Sequence, residues 1–216
     1  MQHSFTPEQQ AAQLRKPHGA GAEAIATYMR DLNRALYEHV VKLLLPANQK
    51  QLLELGFGEG IVPEMLHRQH KTIDYTGIDF SEEMVNMATA KNIPGARFLL
   101  GEVSQMPFDD CSFDICCGIN VVYFWEHPER EFAEIMRVLK PGGMLMLGYR
   151  PKTYMQAIPF TQFGFTLYET AELENLLVKH GFVKITTETE TEPDRIIAGK
   201  IQPMQHAVVL AYKPGQ

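Results

Sequence analysis

The chain has 216 residues, 45% hydrophobic and 21% charged, with a net charge of −6. That length suits one domain with an elaborated end. The negative balance without a long basic run argues against a nucleic-acid backbone binder, and no apolar run approaches the roughly 20 residues of a membrane helix.

The start, MQHSFTPEQQ, shows no basic stretch followed by an apolar one, so no secretory leader is expected. Residues 1–24 are polar and carry Pro7, Pro17, Gly19 and Gly21, which reads as an irregular arm. Ile25, Met29, Leu32, Leu36, Val40 and Leu43 then repeat at helical spacing, predicting one helix over 25–44 that Pro46 and Asn48 end. A strand at 51–56 runs into a Gly-rich turn and a helix over 60–69. A second strand at 73–78 closes at Asp79. Ser81 caps a helix to Lys91, with Glu82 and Glu83 in its positive first turn. Strands follow at 97–100 and 113–119. Pro128 opens a helix bearing Phe132, Ile135, Met136 and Leu139, and Lys140-Pro141-Gly142-Gly143 turns into a fifth strand at 144–148.

Residues 150–168, RPKTYMQAIPFTQFGFTLY, lack a period and are rich in aromatics; they read as an insert or lid. Thr166 and Glu169 suggest a capping box for a helix over 170–179, ended at Gly181. Strands at 182–189 and 206–212 finish the chain. Cys111, Cys116 and Cys117 fit neither a disulfide framework nor a zinc site. Cys116 and Cys117 read as buried structural thiols, and a reducing cytoplasm is the expected setting.

Five strands separated by helical patterns predict an α/β fold, a doubly wound, Rossmann-like, three-layer α/β/α sandwich. Its seven-stranded sheet is mostly parallel with an antiparallel last strand. The division expected is an N-terminal arm and cap helix (1–47) and a ligand-binding domain (48–216) with the insert at 150–168. Ligands of such sheets sit beyond the carboxyl ends of the strands. The Gly-rich turn, Asp79, Glu102 and Asn120 each follow a strand, so all four are expected on one rim.

The turn itself, LELGFGEG, selects between ligands. A pyrophosphate site wants G-x-G-x-x-G. Counting from Gly56, Gly58 fits, but Ile61 stands where the third glycine belongs and Gly60 comes one residue early. Glu54 and Glu59 put carboxylates beside the turn, which suits a ligand with positive charge.

These segments resemble the class I S-adenosylmethionine-dependent methyltransferases, small-molecule type, over about residues 51–190. The match lies in LELGFGEG, YTGIDFSEEMV, GEVSQMPFDDCSFDICCGINVVYF and LKPGGMLML. The resemblance implies S-adenosylmethionine as cofactor and S-adenosylhomocysteine as product. It implies that Gly56, Phe57 and Gly58 bring backbone to the methionine part, that Glu54 helps fix its amino group, and that Asp79 accepts from the ribose hydroxyls. Phe80 and Met84 would flank the adenine, Glu102 and Val103 would meet its amino edge, and Asn120 would lie near the sulfonium. The family more often has Asp at the position of Glu102.

The acceptor is less determined. His127 and Tyr123 are the weak candidates for a catalytic base, with His18 behind them. Tyr123 and Trp125 either line the acceptor pocket or pack the following helix. The aromatic insert (Tyr154, Phe160, Phe163, Phe165, Tyr168) either covers an apolar acceptor or only packs a lid, and Arg15 and Lys16 of the arm are candidates to meet an anion. The D/N-P-P-Y motif of nucleobase and glutamine methylation and a Pro-Cys nucleophile are absent from the sequence, and no metal site is evident. The expected function is methyl transfer to a small-molecule acceptor by in-line displacement, with no nucleic-acid or membrane partner, in a monomer or homodimer. The alternatives are a non-catalytic S-adenosylmethionine-binding protein and a nicotinamide-dependent dehydrogenase, which the mis-spaced glycine disfavours.

Overall fold

The computed structural model describes residues 5–46, 50–70, 74–197 and 199–215. Three helices come first: α1 (Pro7–Arg15), α2 (Ala22–Leu32) and α3 (Arg34–Leu44). Then follow β1 (Gln51–Leu55), α4 (Ile61–Arg68), β2 (Asp74–Asp79), α5 (Glu82–Ala90), β3 (Ala96–Leu100) and β4 (Phe113–Ile119). The chain continues with α6 (Pro128–Val138), β5 (Leu139–Tyr149), α7 (Lys152–Met155), α8 (Thr170–Lys179), β6 (Val183–Ile197) and β7 (Lys200–Tyr212). The strands form one sheet in the order β3-β2-β1-β4-β5-β7-β6. The first five are parallel, and β7 runs antiparallel between β5 and β6. The order reverses between β1 and β4, which leaves a crevice beyond their carboxyl ends.

Both sheet faces are buried, as parallel sheets require. Leu53 and Leu55 of β1 join a core with Phe132 and Ile135 of α6 and Leu173 and Leu177 of α8. Leu52, pointing the other way, joins Leu36 and Val40 of α3 and Val62 and Leu66 of α4. Cys116 and Cys117 split between these two cores, and burial pushes both thiols up. Among the described residues no helix is long and apolar enough to cross a membrane.

Five local expectations are corrected. The arm contains α1, because Thr6 and Gln9 form a capping box around Pro7 and the helix buries Ala11 and Leu14. The single helix over 25–44 is two, broken at Asn33, where the buried Arg150 guanidinium takes the Asn33 side chain (2.5 Å) and the Leu32 carbonyl (3.0 Å). The cap of α8 is Glu169 with Glu172, not Thr166; the Thr166 amide donates instead to the Tyr123 carbonyl. The last two strands extend to 197 and from 200, since they pair with each other along a long hairpin. The turn at 140–143 lies inside the span of β5 as an irregularity of its pairing with β4. Asn48 and the first residue of the expected second strand lie outside the described residues.

Candidate active site

A cavity of about 380 Å³ opens beyond the carboxyl ends of β1, β2 and β4. Its floor is the glycine turn. Gly56, Gly58 and Gly60 all have positive φ, of 65°, 56° and 76°, a conformation that costs other L-residues roughly 1–2 kcal/mol. The three alternate glycines are thus explained by backbone geometry. A Cβ on Gly56 would lie 2.5 Å from Val121, whereas one on Gly58 would meet nothing within 4 Å. Gly58 faces the cavity, and backbone there is open to a ligand.

Asp79 closes the turn from the end of β2. One carboxylate oxygen accepts from the Gly58 amide and the other from the Ser81 amide, each at 2.9 Å. Burial raises this carboxyl and the amides of Ser81, Gly58 and Phe80 lower it, leaving it pushed up to about 6. Phe80, Met84, Glu102, Val103 and Asn120 join Gly56, Gly58 and Asp79 in the wall. Asn120 holds a φ of 57° at the end of β4, its amide donating to the Gly148 carbonyl at 2.8 Å.

Glu54 and Phe57 stand behind the wall. Glu54 is buried under the turn, where the Tyr75 hydroxyl donates to it at 2.6 Å. Burial raises its carboxyl, the Tyr75 bond lowers it and Asp79 raises it further, to about 8. Phe57 packs on Phe98 with ring centroids 4.9 Å apart. Glu59 lines the cavity, but its charge is taken by Arg30 (2.7 Å) and Lys91 (3.4 Å). The two carboxylates flanking the turn in the sequence are therefore not free anions.

The N-terminal helices cover the opening. Leu14, Arg15, Pro17, Met29 and Arg30 contribute to the wall. The cover is tied down where Ser81 Oγ donates to the Pro17 carbonyl (2.7 Å), where Gly19 donates to Glu83 (3.2 Å), and where Arg15 pairs with Glu126 (2.5 Å). Lys16 sits with its Nζ 5.2 Å from the centre of the Phe80 ring.

Comparison with known proteins agrees with this geometry. Residues 53–147 match the profile of the family described as "Methyltransferase domain". Over this span the chain is similar to a methyltransferase domain. It is 35% identical over 95 residues to a phthiotriol/phenolphthiotriol dimycocerosates methyltransferase of Mycobacterium tuberculosis, covering 44% of this chain and 35% of that relative. The chain thus spans about a third of the length of that curated relative. Two solved structures share the fold. One is a chain of the Haloferax volcanii complex between the Trm112 methyltransferase activator and a methyltransferase, with TM-score 0.74, 21% identity, and 97% and 100% of the two chains covered. The other, from Thermotoga maritima, is described as a possible histamine N-methyltransferase, with TM-score 0.69, 24% identity, and 89% and 97% covered.

The two residues expected as candidate bases differ. His127 lines the cavity, with Nδ1 3.6 Å from Glu129. Tyr123 does not. It is buried, its hydroxyl donates to the Arg150 carbonyl (2.9 Å) and accepts from the Arg150 amide (2.5 Å), and burial pushes the phenol well up. A phenol so held is a latch between β5 and the segment after β4, not a base. Trp125 both lines the cavity and packs edge-on against Phe132. The five insert aromatics are absent from the wall; Phe160 and Phe165 stack with each other, and Phe165 packs on Phe124, which does line it. His18 is held in the arm by Gln13.

One functional candidate escaped sequence reasoning. Glu131, in the first turn of α6, lines the cavity and is 8% exposed. Its Oε2 has no hydrogen-bond partner, and burial raises its carboxyl. In PEREFAEIMRV it reads as one more acid on a solvated helix face. Only tertiary packing places it in the wall of the cavity.

Proposed function

We propose that the protein transfers a methyl group from S-adenosylmethionine to a small-molecule acceptor that bears an N–H or O–H. The observation that carries this reading is the open backbone of Gly58 bonded to Asp79, inside a covered cavity of the size of small-molecule sites. The residues present fit the cofactor. Gly56 and Gly58 admit its methionine part, Asp79 offers its carboxylate to the ribose hydroxyls, and Phe80 and Met84 give apolar surface to the adenine with Glu102 and Val103 at its edge. Asn120 lies on the side of the sulfonium. Glu54, braced by Tyr75, acts through the turn it supports. We read α1 to α3 as the cover and the rest of the chain as the methyl-transfer domain.

Bound S-adenosylmethionine supplies a methyl group on a positively charged sulfur, which an acceptor lone pair displaces in line. Most of the protein's contribution is alignment, which supplies roughly 7–11 kcal/mol of such a barrier, and exclusion of water by the N-terminal cover. Glu131 accepts a hydrogen bond from the acceptor and, for a hydroxyl, takes its proton. His127, at the mouth, is the second group in reach of that end.

Thermal unfolding with S-adenosylhomocysteine tests the reading. At one hundred times its dissociation constant a ligand stabilises by about 2.7 kcal/mol, a rise of roughly 5–11 °C for a chain of this length. That rise is expected for wild type, not for Asp79→Asn, and not with a nicotinamide dinucleotide. Equal shifts in wild type and Asp79→Asn would reject the assignment. With an acceptor found by screening, Glu131→Gln is expected to lower turnover at least tenfold while the product-induced shift is kept; unchanged turnover would remove Glu131 from the site.

A further inference from the structure

A second constellation lies away from the cavity, where α3 crosses the β6–β7 hairpin. His39 of α3 and His206 of β7 are both buried, at 3% and 0% exposure. His39 Nδ1 and His206 Nε2 face each other at 3.1 Å. Glu190 of β6 reaches the same point, its carboxylate oxygens 3.8 Å from His39 Nε2 and 3.9 Å from His206 Nε2. One nitrogen from each ring and one Glu190 oxygen all lie within 4.8 Å of one another. Glu188, two residues earlier on the same strand face, is 3.3 Å from His39 Nε2.

The hydrogen bonds around the pair fix its chemistry. His206 Nδ1 lies 3.0 Å from Glu192. The Glu192 carboxylate is also paired with the guanidinium groups of Arg150 and Arg195, at 2.8 and 2.6 Å. A carboxylate paired with two guanidiniums accepts, so Nδ1 donates to it, and in the neutral ring Nε2 then presents a lone pair toward His39. A carboxylate on the far nitrogen is the arrangement that orients metal-binding imidazoles. His39 then faces an acceptor at each nitrogen, the His206 lone pair at Nδ1 and the Glu188 carboxylate at Nε2, and Glu190 lies within 3.9 Å of both rings. The site calls for a cation. The nitrogen–nitrogen separation is near the about 3.3 Å edge of a tetrahedron with metal–nitrogen bonds of about 2.0–2.1 Å. Glu188 and Glu190 are about half exposed and give an entry path.

We infer that His39, Glu190 and His206 bind a divalent first-row transition ion, with Glu188 beside it, and that the ion clamps α3 to the β6–β7 hairpin. Two imidazoles and one carboxylate suit zinc and its neighbours, and hard oxygen-seeking cations poorly. The competing occupant is a second proton on His39.

Cobalt(II) and zinc separate the two. Chelator-treated protein titrated with cobalt(II) is expected to develop the intense visible absorption of a four- or five-coordinate centre, saturating at one equivalent. Zinc at one hundred times its dissociation constant is expected to raise the melting temperature by about 5–11 °C. Glu190→Gln, at a half-exposed position, is expected to leave the metal-free melting temperature within about 2 °C and to weaken cobalt binding at least tenfold; His39→Gln is expected to abolish the spectrum. No absorption and no zinc shift in wild type would overturn the proposal. So would cobalt binding that Glu190→Gln and His39→Gln leave unchanged, which would place the ion elsewhere. Nitrogen-15 shifts showing His39 doubly protonated and undisturbed by zinc would give the site to the proton.

Discussion

Each glycine of the turn does a different job, and substitution should separate them. Gly56 cannot carry a side chain, since its Cβ would overlap Val121 in addition to the strain of a positive φ. Gly58 has the strain without the overlap. Gly58→Ala is expected to cost roughly 1–2 kcal/mol of stability and to lose binding of S-adenosylhomocysteine, because the new methyl projects into the cavity. Gly56→Ala is expected to cost more, about 2–4 kcal/mol, as overpacking adds to strain. Urea unfolding of the two variants checks the order; an equal cost would show that Val121 moves aside freely. The contrast between Asp79 and Glu54 is of the same kind. Both are buried acids at the ends of neighbouring strands, yet one lines the cavity and the other is consumed by Tyr75.

Between elements, the decisive contact is the buried Arg150–Glu192 pair. Arg150, the first residue after β5, donates Nε and Nη2 to Glu192 of β6 at 3.0 Å each. Its remaining donors hold Asn33 and Leu32 where α2 ends and α3 begins. One guanidinium therefore sets the angle of the cover against the sheet and the hairpin against β5. Removing one partner of such a pair costs about 3–5 kcal/mol, because the other charge stays buried. Arg150→Met is expected to fall in that range by urea unfolding, and Arg150→Met with Glu192→Met to recover much of it. A loss under about 1 kcal/mol for Arg150→Met would mean that the junction is held by apolar packing alone.

At the scale of the whole molecule, the buried acids shape stability against pH. Glu54 is pushed up to about 8 and Glu192 held down to about 2. A raised carboxyl favours the fold while protonated, so the Glu54 contribution is lost as pH rises through about 8. A lowered one favours the fold while ionised, so the Glu192 contribution is present above the ordinary carboxylate range of about 4 and fades as pH falls toward about 2. Asp79, raised to about 6, acts with Glu54: its contribution is lost as pH rises from the ordinary carboxylate range to about 6. Because the unfolded carboxyls ionise near pH 4, the melting temperature is expected to peak at about pH 4 to 5 and to fall toward about pH 8, and Glu54→Gln should flatten that fall; an unchanged alkaline limb in that variant would reject the Glu54 assignment. Much of this molecule was legible in its sequence. The alternation of strand and helix, the glycine spacing and the acid closing β2 are local patterns, set by backbone sterics and by the period of burial, and they located the crevice and its floor. What depends on partners far along the chain was not legible. The break at Asn33 needs Arg150, 117 residues away. Glu131 enters a cavity wall shared with residues as distant as Leu14 and Asp79, and the meeting of His39 with His206 spans 167 residues. Short-range pattern fixes which backbone forms, but only tertiary packing decides which polar groups leave water together. That step brought Glu131 into the cavity wall and His39 against His206.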